Sequence, residues 1–293
     1  MIRIIIHIFP HELGEYRRII NQLNNSEVDI SNSDIKLLCC LNLNKFVCRY
    51  KNSTDIICNF KNINTNSKFY VESYVNTKTN FCGVNEHRRN CIKTSDVKDM
   101  IIYLDSDLHF NNTLLNQTLI NADILSKQHS YYILTPECIR LWDSTWDCLV
   151  NKDFLKFPIN YCETADICMI TKKVHTGDGI RKNKTFKWAG GWFTCINAPL
   201  AKLVSIPDSF VGYGPDDTFM MECCKFLKSK NIDVAQYIQS GQVVCEDRTL
   251  IHKNKPHFTH KTDFRKKCNQ MFSKEYDFFK KRIEEDIYNI NES

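Results

Sequence analysis

The chain lacks long apolar runs, and no stretch of its 293 residues approaches the roughly 18 uninterrupted apolar residues of a membrane-spanning helix. The opening segment, residues 1–10, is apolar but much shorter than the apolar region and cleavage site of a secretion signal. These two absences predict a protein that neither crosses a membrane nor enters the secretory route. We therefore expect a cytoplasmic location.

An excess of charge of one sign is also missing. Lys and Arg number 39 against 34 Asp and Glu, which gives a net charge of +5, and the basic residues are spread along the chain. A nucleic-acid-binding protein usually concentrates its basic residues in a patch, so this pattern predicts no nucleic-acid partner. An anionic small-molecule substrate agrees with the modest positive charge.

Cysteine pairs with the spacing of a zinc site are missing as well, although the chain has 15 cysteines. The cysteines are scattered through apolar stretches, as at Cys39, Cys40, Cys223 and Cys224. Free cysteine is among the most frequently buried residues. We therefore expect most of these side chains to be reduced thiols in the core.

Apolar segments of strand length alternate with helical patterns along the first part of the chain. Strand-like runs span residues 2–9, 34–43 and 100–104, and helical patterns lie between them at 11–23 and 85–97. This alternation predicts an α/β fold with a mainly parallel sheet, helices on both faces, and ligand chemistry at the carboxyl ends of the strands. The remaining predictions are short edge strands at 45–50 and 68–74, helices at 114–125, 136–150 and 262–290, and strands at 131–134 and 166–172.

Two aspartates directly follow the apolar run at 100–104. In Asp105-Ser106-Asp107 the two carboxylates are two residues apart, so an extended segment places them on the same side at the edge of the sheet. Such a pair of hard oxygen ligands suits Mg²⁺ or Mn²⁺, which keeps positions open for waters and substrate phosphates. The alternative is a solvated turn, because aspartate is a favoured turn residue.

A second acidic pair, Asp216-Asp217, follows a glycine-rich aromatic segment and opens an apolar helical pattern. A carboxylate near an acceptor hydroxyl can act as a general base, and its neighbour can bind another hydroxyl of the same sugar. The alternative is a helix cap that stabilises the helix by about 1 kcal/mol, and capping is compatible with catalysis. Upstream, the glycines of Gly190-Gly191-Trp192 allow close backbone approach to a ligand, while the indole stacks on a sugar or packs in the core.

The order of these motifs resembles that of GT-A glycosyltransferases, in particular the inverting enzymes. That family has a DxD motif after a strand, a glycine-rich loop, an acidic xED motif that opens a helix, and a C-terminal histidine that binds metal. The similar segments here are Asp105-Ser106-Asp107, Gly190-Gly191-Trp192-Phe193, Pro215-Asp216-Asp217 and a histidine among residues 252–260. Asp216 stands where the family usually has glutamate.

The resemblance implies a GT-A fold and a role for each matched residue. Asp107 would coordinate Mn²⁺ or Mg²⁺, Asp105 would contact the metal or the ribose, and Asp217 would be the catalytic base. His260 would be the third protein ligand of the metal, with His257 as the alternative. The residues implied in binding the donor, a UDP-sugar, are Phe9, Arg88, Asp105, Ser106, Asp107, Gly190, Gly191 and Trp192. The acceptor would be a hydroxyl of a glycan.

The chain shows no repeat and no linker, which predicts one domain over residues 1–293. Within it, residues 1–107 would bind the nucleotide-sugar, 108–261 would bind the acceptor and carry catalysis, and 262–293 would form a C-terminal helix. Three alternatives stay open: a retaining transferase of the same fold, a sugar-phosphate nucleotidyltransferase, and a noncatalytic carbohydrate-binding module. The nucleotidyltransferase is disfavoured because no glycine-rich phosphate loop follows the first strand. The helix at 85–97 places Arg88 and Arg89 either against the nucleotide or in solvent.

Overall fold

The computed structural model describes residues 1–29, 34–43, 53–77, 83–141, 179–184, 186, 193–211, 215–247 and 255–292. Within these residues, nine strands and seven α-helices are present. The strands are β1 (Ile2–Ile8), β2 (Ile35–Asn42), β3 (Tyr70–Asn76), β4 (Met100–Tyr103), β5 (Leu108–Phe110), β6 (Tyr131–Leu141), β7 (Ile180–Lys182), β8 (Thr194–Asn197) and β9 (Val234–Asp247). The helices are α1 (Leu13–Asn24), α2 (Ser53–Thr65), α3 (Val84–Lys93), α4 (Leu114–Ser126), α5 (Ala198–Val204), α6 (Asp216–Ser229) and α7 (Lys255–Glu292).

All nine strands belong to one mixed sheet. Its order is β3-β2-β1-β4-β8-β6-β9-β5, and β7 pairs with another part of β9. The strands β3, β2, β1, β4, β6 and β9 run in one direction, whereas β8, β5 and β7 run in the other. The predicted α/β fold with a mainly parallel sheet is confirmed.

The sheet separates two hydrophobic cores, each covered by its own helices. Helices α1, α2 and α4 pack on one face, and α3, α5, α6 and α7 pack on the other. Strand β1 shows why its sequence is apolar throughout: Ile4, Ile6 and Ile8 enter the first core, while Ile5 enters the second. A central parallel strand is buried on both faces, so it needs apolar residues at both alternations.

The cysteines of the described residues agree with the expectation of core thiols. Six of them are buried and form no disulfide, and Cys58 is exposed and also forms none. Burial raises the pKa of Cys39 to about 12, despite a hydrogen bond with Tyr16 that acts in the opposite direction. Such a thiol stays protonated at neutral pH, which suits a packing role rather than a nucleophilic one.

Helix α2 lies between the two predicted edge strands, residues 45–50 and 68–74, in an asparagine-rich segment where no helix was predicted. Residues 53–65 are helical, and Phe60 and Ile63 bury one face against the first core. Ile56 packs beside them, so the apolar positions follow helical spacing of three and four residues. The asparagines around these positions concealed the pattern. The predicted strand at 68–74 is present as β3, and the one at 45–50 lies outside the described residues.

Strand β6 contradicts one prediction. The sequence predicts a helix from residue 136, but β6 continues through Leu141 as the parallel neighbour of β9. The register shifts between Pro136 and Glu137, where the missing N–H of proline would otherwise leave a gap in the ladder. The rest of that predicted helix, and the predicted strand at 166–172, lie outside the described residues.

Helix α7 begins earlier than the sequence predicts. It starts at Lys255 instead of residue 262, and Pro256 at its second position is tolerated there because the first turn needs no donor from that residue. Phe279 and Ile283 of this helix pack in the second core. Among the helices of the described residues, none combines the length and the apolar character that crossing a bilayer requires.

Contacts at the amino edge of the sheet attach α3 to the strands. Arg3 of β1 donates from Nε to Asp99 Oδ2 at 2.6 Å and from Nη2 to the Thr94 carbonyl at 2.8 Å. Thr94 follows the last residue of α3, and Asp99 precedes the first residue of β4. The carboxyl end of α3 therefore lies at the amino edge of the sheet, and its first turn points toward the opposite, carboxyl edge.

Candidate active site

The first acidic pair lies in the turn between β4 and β5, at the carboxyl edge of the sheet. Asp105 and Asp107 are half-buried, and Ser106 between them is buried. The guanidinium of Arg18 in α1 stabilises the turn, because it donates hydrogen bonds to the backbone carbonyls of Ser106 at 2.9 Å and Leu108 at 2.6 Å. Backbone contacts of this kind fix the turn without using the carboxylates.

The second acidic pair begins α6. Asp216 and Asp217 are its first two residues, and the first backbone bond of the helix runs from the Phe219 N–H to the Pro215 carbonyl at 2.8 Å. Asp217 Oδ1 accepts the Thr218 N–H at 2.6 Å, which satisfies one of the donors that a helix start leaves open. The prediction that these acids open a helix is confirmed.

The pKa of Asp217 is raised above its ordinary value. Burial is the largest cause, and the adjacent Asp216 carboxylate is the next. The N–H of Thr218 and the charge of Arg88 act in the opposite direction but do not outweigh them. A carboxylate with a raised pKa is a stronger base than an ordinary aspartate when it is ionised.

One side chain joins the two acidic pairs. Arg88 of α3 donates from Nη2 to Asp105 Oδ1 at 2.8 Å and from Nη1 to Asp216 Oδ2 at 2.8 Å. Its guanidinium also lies over the Tyr103 ring, 4.8 Å from the ring centroid. The side chain of Arg88 is 6% exposed, against 37% for Asp105 and 11% for Asp216. The turn after β4 and the start of α6 therefore meet in one place.

The charge of this arrangement is dominated by its acids. Burial lowers the pKa of Arg88, but the carboxylates of Asp216 and Asp105 outweigh it, so the pKa lies above the ordinary arginine value and the guanidinium stays charged. The two carboxylates that contact this one guanidinium, those of Asp105 and Asp216, leave a net negative charge on the three side chains, which favours a cation nearby.

The neighbouring Arg89 faces the segment that leads into α6. It donates from Nε to the Ile206 carbonyl at 2.9 Å, and from Nη2 to the carbonyls of Pro207 at 2.6 Å and Phe210 at 2.9 Å. Arg88 and Arg89 are 5% and 6% exposed, so the alternative that they face solvent is wrong. A contact between Arg88 and the nucleotide stays a prediction.

Phe9 lies directly after β1, whose parallel neighbour β4 carries the first acidic pair. Its ring is stacked on His11 with the centroids 5.7 Å apart, and it meets His7 edge-on at 5.0 Å. The Phe9 N–H donates to Glu12 Oε2 at 2.7 Å. These contacts place Phe9 at the carboxyl edge of the sheet, and its predicted contact with the donor stays a prediction.

Two buried polar side chains beside Arg88 have unused hydrogen-bonding capacity. The amide nitrogen and oxygen of Asn85 and the hydroxyl of Tyr103 have no hydrogen-bond partner in the part of the chain that the structure describes. Asn85 is 1% exposed and lies one helical turn before Arg88. An unsatisfied buried polar group costs about 1–3 kcal/mol, so these groups indicate a place for water or a polar ligand. Neither residue was predicted from the sequence to belong to the site.

Some of the predicted site residues cannot be located. Gly190, Gly191 and Trp192 lie outside the described residues. His257 and His260 lie in the first turns of α7 and not in a loop, and their predicted binding to metal stays a prediction. Within the described residues, no group of three or more His, Cys, Asp or Glu side chains is arranged to hold a metal ion.

Comparison with known proteins gives matches at the level of structure. No family model and no curated protein sequence matches this chain. The structure of GalNAc-T7 with UDP, GalNAc and Mn²⁺ matches at 10% identity, with a TM-score of 0.51, over 84% of this chain and 44% of that one.

Two further structures are similar with lower scores. Residues 1–349 of TarS from S. aureus match at 13% identity and a TM-score of 0.45, over 82% of this chain and 60% of that one. The mannosyltransferase PcManGT from Pyrobaculum calidifontis, in complex with GDP-Man and Mn²⁺, matches at 9% identity and a TM-score of 0.48, over 89% and 61%. The chain thus spans between 44% and 61% of the length of these three proteins. The mixed, mainly parallel sheet and the structural similarity to GalNAc-T7 together show that the chain has the GT-A fold.

Proposed function

We propose that this chain is a metal-dependent, inverting glycosyltransferase that moves a sugar from a nucleoside diphosphate, UDP in our proposal, to a hydroxyl of a glycan. The observation that carries this proposal is that the Arg88 guanidinium contacts one aspartate of each acidic pair, Asp105 and Asp216, at the carboxyl edge of the sheet. In open α/β sheets, ligands bind at that edge. The GT-A fold supports the proposal but does not by itself establish an activity.

A divalent metal fits the first acidic pair. Asp105 and Asp107 are half-buried carboxylates in a turn whose backbone is supported by Arg18. Mg²⁺ and Mn²⁺ bind through one or two carboxylates together with waters and substrate phosphates, so a larger protein cage is not required. Such a metal would neutralise the charge that develops on the leaving diphosphate. His260 or His257 would add a third protein ligand.

Asp217 is the general base in this proposal. It would take the proton from an acceptor hydroxyl as that hydroxyl attacks the anomeric carbon, with inversion as the outcome. Asp216 is less suited to this role, because its Oδ2 accepts a hydrogen bond from Arg88 and its side chain is only 11% exposed. Asn85 supports a polar ligand at the same edge, since its buried amide has an unused donor and an unused acceptor in the described part of the chain.

The activity should have a distinctive acidic limb. Because the pKa of Asp217 is raised above 3.8, Asp217 becomes protonated, and so stops acting as a base, at a higher pH than an ordinary aspartate does. We expect kcat/KM to fall as the pH decreases through that raised pKa, with the activity restored on the alkaline side. Initial rates measured from about pH 4 to about pH 8 would locate the limb.

The variant Asp216→Asn tests the origin of this limb. It removes the neighbouring charge that raises the pKa of Asp217, so the limb should move to lower pH. A wild-type limb at or below the pKa of an ordinary aspartate would contradict the assignment of Asp217. If the limb lies at the same pH in Asp216→Asn as in the wild type, Asp216 does not contribute to the raised pKa of Asp217.

A screen of nucleotide-sugars with and without Mn²⁺ tests the function as a whole. We expect one nucleotide-sugar to raise the melting temperature only when Mn²⁺ is present, since a ligand at about 100 times its Kd stabilises by about 2.7 kcal/mol. NMR of the product formed with a panel of glycans would then show an inverted anomeric centre. Retention of configuration would replace the inverting mechanism with the retaining one.

Other outcomes of the same screen favour different functions. Stabilisation by free glycans without any effect of nucleotide-sugars would indicate a carbohydrate-binding module. Release of pyrophosphate from a nucleoside triphosphate and a sugar phosphate would indicate a nucleotidyltransferase. Either result would reject the proposed transfer.

A further inference from the structure

We infer that Arg88 is a positioning residue that sets the distance between the first acidic pair and the start of α6, which carries Asp217. The inference rests on the proposed function. Arg88 contacts one carboxylate of each pair at 2.8 Å, across sequence separations of 17 and 128 residues. The two segments that it joins come from different halves of the chain, and its guanidinium contacts both.

The chemistry of the contact favours arginine over any other residue. A guanidinium is planar and carries five donors in a fixed fork, so its two terminal nitrogens can serve two carboxylates in a set geometry. The Tyr103 ring below it supplies a third contact, at 4.8 Å from the ring centroid. The cation is nearly buried, and a buried charge that loses its partners is strongly destabilising. Arg88 therefore disfavours separation of the two carboxylates.

Helix α3 gives Arg88 a rigid base, because the residues on either side of it are also bound. A ring nitrogen of His87 donates to the Leu38 carbonyl of β2 at 3.0 Å, and burial lowers the pKa of His87 to about 4, so the ring is neutral. Arg89 binds three carbonyls of residues 206–210, just before α6. Three consecutive residues thus connect α3 to the sheet, to both acidic pairs and to the segment before α6.

This arrangement assigns different work to the two acids of α6. Asp216 connects Arg88 to the first residue of α6, so a shift of Arg88 would move the start of the helix. Asp217 is the next residue and would move with it, and in the proposed function it contacts the acceptor hydroxyl. Binding of a second acceptor hydroxyl by Asp216 would use Oδ1, because Oδ2 accepts the hydrogen bond from Arg88. Disturbing the contact should displace the base without removing any group that touches the donor. The effect should therefore appear in kcat and not in donor binding.

The experiment compares Arg88→Met and Arg88→Lys with the wild type. We expect Arg88→Met to lower kcat by about 100-fold, because a displacement of about 1 Å at the reacting centre costs about that factor. The Kd for UDP with Mn²⁺ should stay within about threefold, since Arg88 does not contact the donor in this inference. Arg88→Lys should rescue kcat poorly, because one ammonium cannot span two carboxylates.

Arg3→Gln is the matched control. Arg3 is also a largely buried arginine paired with an aspartate, but it lies at the opposite edge of the sheet. We expect Arg3→Gln to lower the melting temperature, because it loosens the attachment of α3 to the sheet, and to lower kcat much less than Arg88→Met does, with the Kd for UDP with Mn²⁺ unchanged. An increase of about tenfold or more in that Kd with kcat preserved in Arg88→Met would overturn the inference and make Arg88 a nucleotide-binding residue.

The double variant Arg88→Met/Asp216→Asn tests the pairing directly. If Arg88 acts through Asp216, the double variant should have a kcat no lower than that of the worse single variant, whereas independent roles would multiply. Multiplicative effects would overturn the inference. If the wild type transfers no sugar from any donor, the proposed function fails. Melting temperatures of the same variants still test the contact between Arg88 and Asp216. A double variant that melts no lower than Arg88→Met supports this contact, whereas a decrease in melting temperature equal to the sum of the two single decreases rejects it.

Discussion

We expect Asp217→Asn to abolish sugar transfer and to leave nucleotide binding nearly intact. The substitution keeps the size and shape of the side chain but removes the lone pair that accepts the proton of the acceptor hydroxyl. A general base contributes about 10²–10⁴ in rate, so kcat should fall by at least the lower of these factors. The Thr218 N–H can still donate to the amide oxygen of the variant, which preserves the start of α6.

Two measurements separate this loss from a loss of structure. Single-turnover rates with the donor identified by the screen report the chemical step, and calorimetry with UDP and Mn²⁺ reports binding. Asp123→Asn is the matched control, because Asp123 is an exposed helical aspartate of α4 that forms an ion pair with Lys127. Near-normal turnover of Asp217→Asn would show that Asp217 is not the general base, and it would favour the retaining mechanism, which needs no separate base.

The sequence allowed the acids to be placed because each pair stands at the boundary of an element. Asp105 follows four strongly apolar residues of β4, and Asp216 begins an apolar helix, so a local pattern is enough to locate both. The parallel alternation then places strand ends at one edge. Strand β1 was predicted for the same reason, since burial on both faces requires a continuous apolar run.

The missed features depend on contacts between distant parts of the chain. The Arg88 contact with Asp216 spans 128 residues, and the polar composition of α3 favoured solvent-facing arginines. Only the packing of α3 against the sheet and α6 explains why these charges are buried. Helix α2 shows a different limit, because its apolar face is narrow and asparagines surround it. Strand β6 continues past Pro136 because β9 offers a partner of matching length.

Asp107→Asn should weaken Mn²⁺ binding more than Asp105→Asn does. Asp105 Oδ1 accepts a charged hydrogen bond from Arg88, and that cation opposes a second cation on the same carboxylate. Asp107 lies two residues further along the half-buried turn and would be the stronger ligand of the metal. Loss of a residue that only orients a metal ligand already costs about 10–100-fold in affinity, so loss of the ligand itself should cost about 100-fold or more.

Calorimetry of Mn²⁺ in the presence of UDP measures this order directly. We expect Asp107→Asn to lose both the stabilisation of the protein by Mn²⁺ and the Mn²⁺-dependent activity. Asp105→Asn should retain both at a reduced level. Asp123→Asn again serves as the control for removal of one negative charge, and it should bind Mn²⁺ with UDP as the wild type does. If Asp105→Asn loses the metal and Asp107→Asn retains it, Asp105 is the stronger ligand and the order proposed for the two aspartates is wrong. In that case Asp105 must leave Arg88 when the donor binds, and the positioning of α6 would change with each catalytic cycle.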